Sequence, residues 1–227
     1  MYYIVKDSLD AKTVGTDFPQ AYNFIKEYNP DGMHAIFELY KYYTEFPDFT
    51  PDLSGIMLSG RAKLTDFVSN GFTSKAMIVS PRAKEILEKF NLCRHRFYDM
   101  ILHVRKVPYK YYWMHIISDY SDFVDYKETT FFEEYVFSKR GNQVKADSKK
   151  ELLEKREILE KNNPGKYVTI CGDNIVMNSE FNKELDFFKI SRIDANLYVS
   201  ERLKEEIIRN NLTGLEFLPA EKLCLSD

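Results

Sequence analysis

The sequence carries little with which to build a covalent or metal-held scaffold. It has three cysteines in 227 residues, Cys93, Cys171 and Cys224, widely spaced and odd in number. That pattern argues against a disulfide framework and suits a reducing cytosol. Glycine is sparse, nine in all, and neither G-x-G-x-x-G nor G-x-x-x-x-G-K occurs. Without a glycine-rich loop there is no backbone cradle for a nucleotide phosphate, and no nucleotide or other cofactor is expected. No apolar run approaches the roughly 18 residues that cross a bilayer, so no membrane association is expected. The opening MYYIVKDSLD has neither the basic cluster nor the apolar core of a signal peptide and reads as a first strand. Together these features place the protein in the cytoplasm. The net charge of −3 lacks the basic excess of a general nucleic-acid binder.

Aromatic residues and local charge contrasts are what the chain has in abundance. It holds 17 Phe and 16 Tyr, and tyrosine is enriched where proteins meet proteins. From Arg82 to Lys110 eight Lys and Arg face three Asp and Glu; from Trp113 to Phe137 one faces six. A basic segment thus precedes an acidic one. Two solvated surfaces would look like this, and so would a polarised surface that meets a charged partner.

Periodicity and turn residues give an α+β chain with mostly antiparallel sheet, in a single domain spanning 1–227. Residues 1–5, 76–79, 97–104 and 111–117 read as strands. HAIFELYKYYTEFPDF (34–49) alternates in part and reads as a strand ended by Pro47 and Pro51. YVTIC and IVM read as a hairpin turning at Gly172–Asn174. DSKKELLEKREILEKN (147–162) reads as one charged surface helix, capped by Asp147 or Ser148.

The clearest internal signal is a repeat. At a constant offset of 120, residues 66–97 and 186–217 share Asp66-Phe67 with Asp186-Phe187, Val79-Ser80 with Val199-Ser200, Arg82 with Arg202, Lys84-Glu85 with Lys204-Glu205, Asn91-Leu92 with Asn211-Leu212 and Phe97 with Phe217, without a gap. The expectation is two duplicated strand–helix–strand units. Ser80 and Ser200 each sit where a helix N-cap belongs, and a capping hydroxyl is occupied by first-turn amides rather than free as a nucleophile. The lysine lies four residues on, not the three of Ser-x-x-Lys acyl enzymes. Asn91 reads as a left-handed residue ending the first helix. Arg82 and Arg202, at the second helical position, oppose the helix dipole and therefore look for carboxylates such as Asp66 and Asp186.

Catalytic and metal chemistry find little support. Cys93 and His95 form an isolated C-x-H, with His103 and His115 downstream in apolar runs; no paired ligand spacing marks a zinc site. Asp119, Asp122, Asp125 and Glu128 recur every three residues, but not in the calcium-loop pattern.

Three segments resemble a known family. YVSERLKEEIIRNNLTGLEFLP (198–219) looks like the C-terminal signature of a family of immunity proteins from bacterial polymorphic toxin systems, of the myxobacterial type. TDFVSNGFTSKAMIVSPRAKEILEKF (65–90) is similar to its upstream Asp-Phe and Ser-x-Arg segment. YYWMHIISDYSDFVDYKETTF (111–131) resembles its middle segment, where an Asp precedes a Lys-Ser pair; here the stretch reads Asp125-Tyr-Lys127-Glu-Thr129, without the serine. The resemblance implies a non-catalytic protein that binds and neutralises a cognate toxin by stoichiometric occlusion. It also implies that Ser80, Arg82, Ser200, Arg202, Thr213, Gly214 and Phe217 serve structure. The expected partner surface is then the acidic, tyrosine-bearing segment, with Asp119, Tyr120, Asp122, Asp125, Tyr126, Glu128, Glu133 and Glu134. Two other classes stay open on the residues alone: a hydrolase or nucleic-acid-processing enzyme using the scattered His and carboxylates, and a small-ligand-binding module.

Overall fold

The computed structural model describes residues 1–136 and 139–226. Phe137, which closes the acidic segment, lies outside them. The fold is α+β, with three mostly antiparallel sheets and few helices.

The largest sheet joins β2 (Ala21–Phe24), β3 (Ile56–Leu58), β4 (Phe67–Val68), β5 (Ala76–Val79), β6 (His95–Val104) and β7 (Val107–Ile116) in the order β2-β3-β6-β7-β5-β4. Its spine is the β6–β7 hairpin, closed by a two-residue turn with Arg105 at φ 59°. β7 is central and sheds alternate side chains to two cores. Trp113 and Tyr111 enter one with Tyr98, Met100 and Leu102; Met114 and Ile116 enter the other. A strand buried on both faces reads as an almost unbroken apolar run, which is why YYWMHII stands out.

The second sheet joins β1 (Tyr2–Asp7), β11 (Phe187–Lys189), β12 (Leu197–Ser200) and β13 (Leu215–Pro219) in the order β11-β12-β1-β13. The third joins β8 (Thr130–Tyr135), β9 (Lys139–Val144), β10 (Val168–Met177) and β14 (Leu223–Leu225) in the order β14-β10-β8-β9. Besides the short α1 (Ala11–Val14), the helices are α2 (Pro81–Leu87), α3 (Lys149–Lys161) and α4 (Glu201–Arg209). α2 turns Ala83, Ile86 and Leu87 inward, and α4 turns Leu203 and Ile207. The charged α3 buries only Leu152, against the third sheet, and its cap is Ser148, whose Oγ accepts from Glu151 N.

The runs β4-β5-β7-β6 and β11-β12-β1-β13 have the same order and the same antiparallel senses. Val79 pairs with Tyr112 and Tyr112 with Asp99; Val199 pairs with Tyr3 and Tyr3 with Pro219. Tyr111 Oη donates to Thr65 O at 2.8 Å, and Tyr2 Oη donates to Leu185 O at 2.9 Å. Lys84 lies 5.1 Å above the Tyr112 ring and Lys204 lies 3.6 Å above Tyr3. The central strand follows β6 in one run and comes from the chain start in the other.

Three local expectations are corrected. Residues 34–49 hold no strand; Ile36–Lys41 forms a 3-10 helix, with Ile36 and Leu39 buried one tight turn apart. The partial alternation there mimicked the three-residue period of that helix. Gly172–Asn174 is not a hairpin turn but a bulge within the continuous β10, which pairs along β8 on both sides of it. A Cβ at Gly172 would lie 2.7 Å from the Ile175 side chain and 2.8 Å from Ile193, so the glycine admits close packing rather than a reversal. The left-handed residue is Asn211 (φ 52°), not Asn91.

Candidate functional site

The serine caps explain the local geometry of the repeat. Ser80 Oγ accepts from Ala83 N (3.1 Å) while donating to Asp66 Oδ1 (2.8 Å). Ser200 Oγ accepts from Leu203 N (3.2 Å) while donating to Asp186 Oδ1 (2.5 Å). Each hydroxyl is therefore engaged in both directions. Arg202 pairs with Asp186, its Nη2 2.8 Å from Oδ2, and Arg82 Nη1 lies 3.8 Å from Asp66 Oδ1. Each Asp also reaches the other unit. Asp66 Oδ2 accepts from Thr213 N (3.0 Å) and Oγ1 (3.2 Å), and Asp186 Oδ2 accepts from Asn91 N (2.9 Å). Gly214 follows at φ 105°, where a Cβ would meet Phe67 O at 1.9 Å. Phe217 sits in β13 opposite Val5. These residues tie the two units together.

The histidines show no catalytic convergence. His95 Nδ1, His103 Nε2 and His115 Nε2 are each within 2.8 Å of a backbone carbonyl, of Cys93, Ser54 and Tyr42 respectively. Burial pushes the Cys93 thiol up to about 12 and the Cys171 thiol up to about 11, so neither supplies thiolate near neutrality. Among the described residues no cluster of three or more His, Cys, Asp or Glu could hold a metal ion, and no helix is long and apolar enough to cross a membrane.

The acidic segment is an ordered connection between β7 and β8, fastened at both ends. Ser118 Oγ donates to Lys189 O (3.0 Å) and Thr129 Oγ1 accepts from Val176 N (3.0 Å). Asp125 Oδ1 accepts from the amides of Lys127 (3.1 Å) and Glu128 (3.2 Å), shaping the turn into β8. Two expected contact residues face inward. Tyr126 is only 8% exposed, stacks on Phe131 and donates its hydroxyl to Ser121 O (2.9 Å). Burial, then the nearby Asp122 and Asp119, raise its pKa. Tyr120 is half-buried, its ring against Phe123, Phe181 and Phe188.

The carboxylates are the accessible part, and some are already paired. Lys149, at the start of α3, lies 2.9 Å from Asp122 and 3.5 Å from Asp119; Arg192 Nε lies 3.5 Å from Asp119. Glu128 is exposed. Glu133 accepts from Tyr135 Oη (3.0 Å) and Asn142 N (3.2 Å), and Glu134 is its half-buried neighbour on β8. Asp119, Asp122, Asp125 and Glu128 therefore share one connection, while Glu133 and Glu134 belong to the sheet beyond it. The counter-charges Lys149 and Arg192 come from 27 to 73 residues downstream of the carboxylates they pair with. No local pattern in the sequence links them to this segment.

A model of the immunity protein family (Imm11) matches residues 16–222. The chain belongs to the Imm11 immunity protein family. A comparison with curated proteins gives no match. Membership in Imm11 implies toxin neutralisation and a cognate toxin as partner, and such families are typically non-enzymatic.

Proposed function

We propose that this chain binds a cognate toxin domain in the cytoplasm and neutralises it by stoichiometric occlusion. The observation that carries the reading is the family match over residues 16–222. One structural feature supports it: the carboxylates of Asp119, Asp122 and Glu128 are exposed on a well-fastened connection. A preorganised surface binds with less ordering cost than a mobile one. The contact is proposed to use Asp119, Asp122, Asp125 and Glu128 with the exposed edge of Tyr120, extended by Glu133 and Glu134. Tyr126 supports that surface from beneath.

The two units are further proposed to be duplicated copies within one domain spanning 1–227. The shared strand order, the paired tyrosine hydroxyls and the paired serine–aspartate caps support that reading.

The test is co-expression with the toxin domain encoded beside this chain, followed by co-purification. Wild type is expected to rescue growth and to elute in a fixed ratio with the toxin. Asp122→Lys combined with Glu128→Lys is expected to weaken the complex at least about tenfold, because like charges across an interface are strongly disfavoured. An unchanged affinity in that folded variant removes the acidic connection as the contact. Failure of wild type to bind or rescue removes the toxin-binding reading itself.

A further inference from the structure

The acidic connection borders a groove of the opposite charge. Two cavities of about 260 and 740 Å³ share Tyr43, Lys75, Ser118, Ser191 and Arg192 in their walls and so form one continuous depression. Arg156 and Lys189 line one end and Arg94 the other. Five cations thus converge from positions 75, 94, 156, 189 and 192.

Most of this charge is uncompensated. Of the five, only Arg192 has a carboxylate within 4 Å among the described residues, Asp119 at 3.5 Å. Lys189 Nζ donates to Ser74 O (2.7 Å), Arg94 to Thr44 O (3.2 Å) and Arg156 Nη2 to Ile170 O (2.6 Å), all neutral acceptors. Lys75 lies 4.4 Å over the Tyr43 ring. The Nε of Arg156 is buried without any hydrogen-bond partner. Asp119 and Asp194 also line the groove; Asp119 pairs with Arg192, and the Asp194 carboxylate is occupied by Asn196 and the Tyr198 hydroxyl. Burial lowers the pKa of Lys75, Lys189 and Arg156 and outweighs the opposing pull of Asp194 on Lys189 and of Glu160 on Arg156.

We propose that this groove receives an acidic peptide segment of the toxin partner, its carboxylates seated against Lys75, Arg94, Arg156, Lys189 and Arg192. The identity of that partner rests on the toxin-binding reading above; the preference for an acidic peptide does not. A peptide fits better than a lone small anion because the two cavities, about 260 and 740 Å³, far exceed such an ion and carry exposed rings, Tyr43 at 55% and Tyr167 at 63%. Tyrosine beside arginine is the composition of protein-binding hot spots. The groove and the acidic connection then form one bipolar surface, with Asp119 and Arg192 at the seam.

A fluorescein-labelled hexaglutamate peptide, titrated into the full chain and read by anisotropy, tests the groove without any toxin. Binding is expected to weaken steeply with salt, and to weaken at least about tenfold in Lys75→Glu/Arg192→Glu. Lys12→Glu/Lys106→Glu, remote exposed cations, should leave it unchanged. Should the double reversal fail to fold by circular dichroism, Lys75→Gln/Arg192→Gln takes its place with a smaller loss. No binding by wild type at low salt, or equal binding by both double variants, overturns the proposal. So does preferential binding of a labelled oligonucleotide that the groove variants abolish. With the toxin domain in hand, wild-type rescue together with undiminished rescue by Lys75→Glu/Arg192→Glu overturns the groove and leaves the toxin-binding reading standing.

Discussion

Residues 66–97 and 186–217 use the same side chains for the same local tasks, and they differ where the chain is wired. α4 has nine residues and α2 seven. The residue that receives the other unit's aspartate follows four positions after the last helical residue in both, Asn91 after Leu87 and Thr213 after Arg209. The docking point is therefore set by the helix end and not by the repeat offset, which would have paired Asn91 with Asn211. The environments also diverge. The Asp186 side chain is fully buried and held by Arg202, whereas Asp66 keeps 11% exposure and a looser Arg82. A cap serine and its aspartate make a portable local device; the depth at which it is buried depends on strands brought from elsewhere.

The sharpest way to break this comparison is to remove each aspartate. Asp186→Ala strips acceptors from Ser200, Arg202 and the Asn91 amide around a fully buried carboxylate. Orphaned, partly buried donors should cost roughly 3 kcal/mol. Asp66→Ala, which removes fewer hydrogen bonds and a carboxylate that keeps some exposure, should cost about 2 kcal/mol. Urea unfolding of both variants measures the difference, and a larger loss at Asp66 would overturn the ranking. Next in size is Gly214→Ala. Its offset counterpart is Arg94, which carries a side chain without a positive φ. At Gly214 the left-handed backbone and the Phe67 carbonyl leave no room, so about 2 kcal/mol should be lost; a neutral result would mean that the β4–β13 approach relaxes freely.

How much of this was legible in the sequence depends on range. The caps and the β7 strand follow from neighbours within a few positions, and both were read from the sequence. The 3-10 helix at Ile36–Lys41 was misread because a three-residue period and a two-residue period agree over short apolar runs. The β10 bulge was misread because GDN is turn chemistry locally, and only the partner strand β8 shows that the chain runs on. That β1 fills beside β12 the place that β7 fills beside β5 has no local signature. The acidic segment was visible as a charge run, but the inward turn of Tyr126 and the pairing with Lys149 and Arg192 were not. Of the five groove cations, Arg94 alone belonged to the basic run noted in the sequence; the others are single charges until folding gathers them.

A smaller effect sharpens the likeness of the two units. Ser80→Ala and Ser200→Ala should each cost about 1 kcal/mol, the ordinary value of an N-cap. Toxin neutralisation by the folded variants should be unchanged, since neither hydroxyl faces the proposed contact surface. Thermal unfolding read alongside co-purification separates the two readouts. Loss of binding in a fully folded Ser200→Ala protein would give that serine a role the capping geometry does not contain.

The smallest effect lies at high pH and concerns the paired tyrosines. Burial, then the charges of Asp186 and Glu184, push the Tyr2 hydroxyl up to about 12, and burial followed by Asp66 raises Tyr111 as well. A free tyrosine ionises near 10. The folded state therefore holds these protons more tightly than the unfolded chain does. The stability each phenol contributes is complete below about pH 10 and is lost as the pH rises through the folded value. At neutral pH Tyr2→Phe and Tyr111→Phe should each cost about 1 kcal/mol through the lost bond to Leu185 or Thr65. Between pH 10 and 12 the gap between wild type and Tyr2→Phe should close, because wild type is losing what the variant never had. Unfolding midpoints across that range, with tyrosinate absorbance as the titration readout, check the sign. A gap that widens with pH would mean that the Tyr2 hydroxyl ionises in the folded protein before it does in the unfolded one.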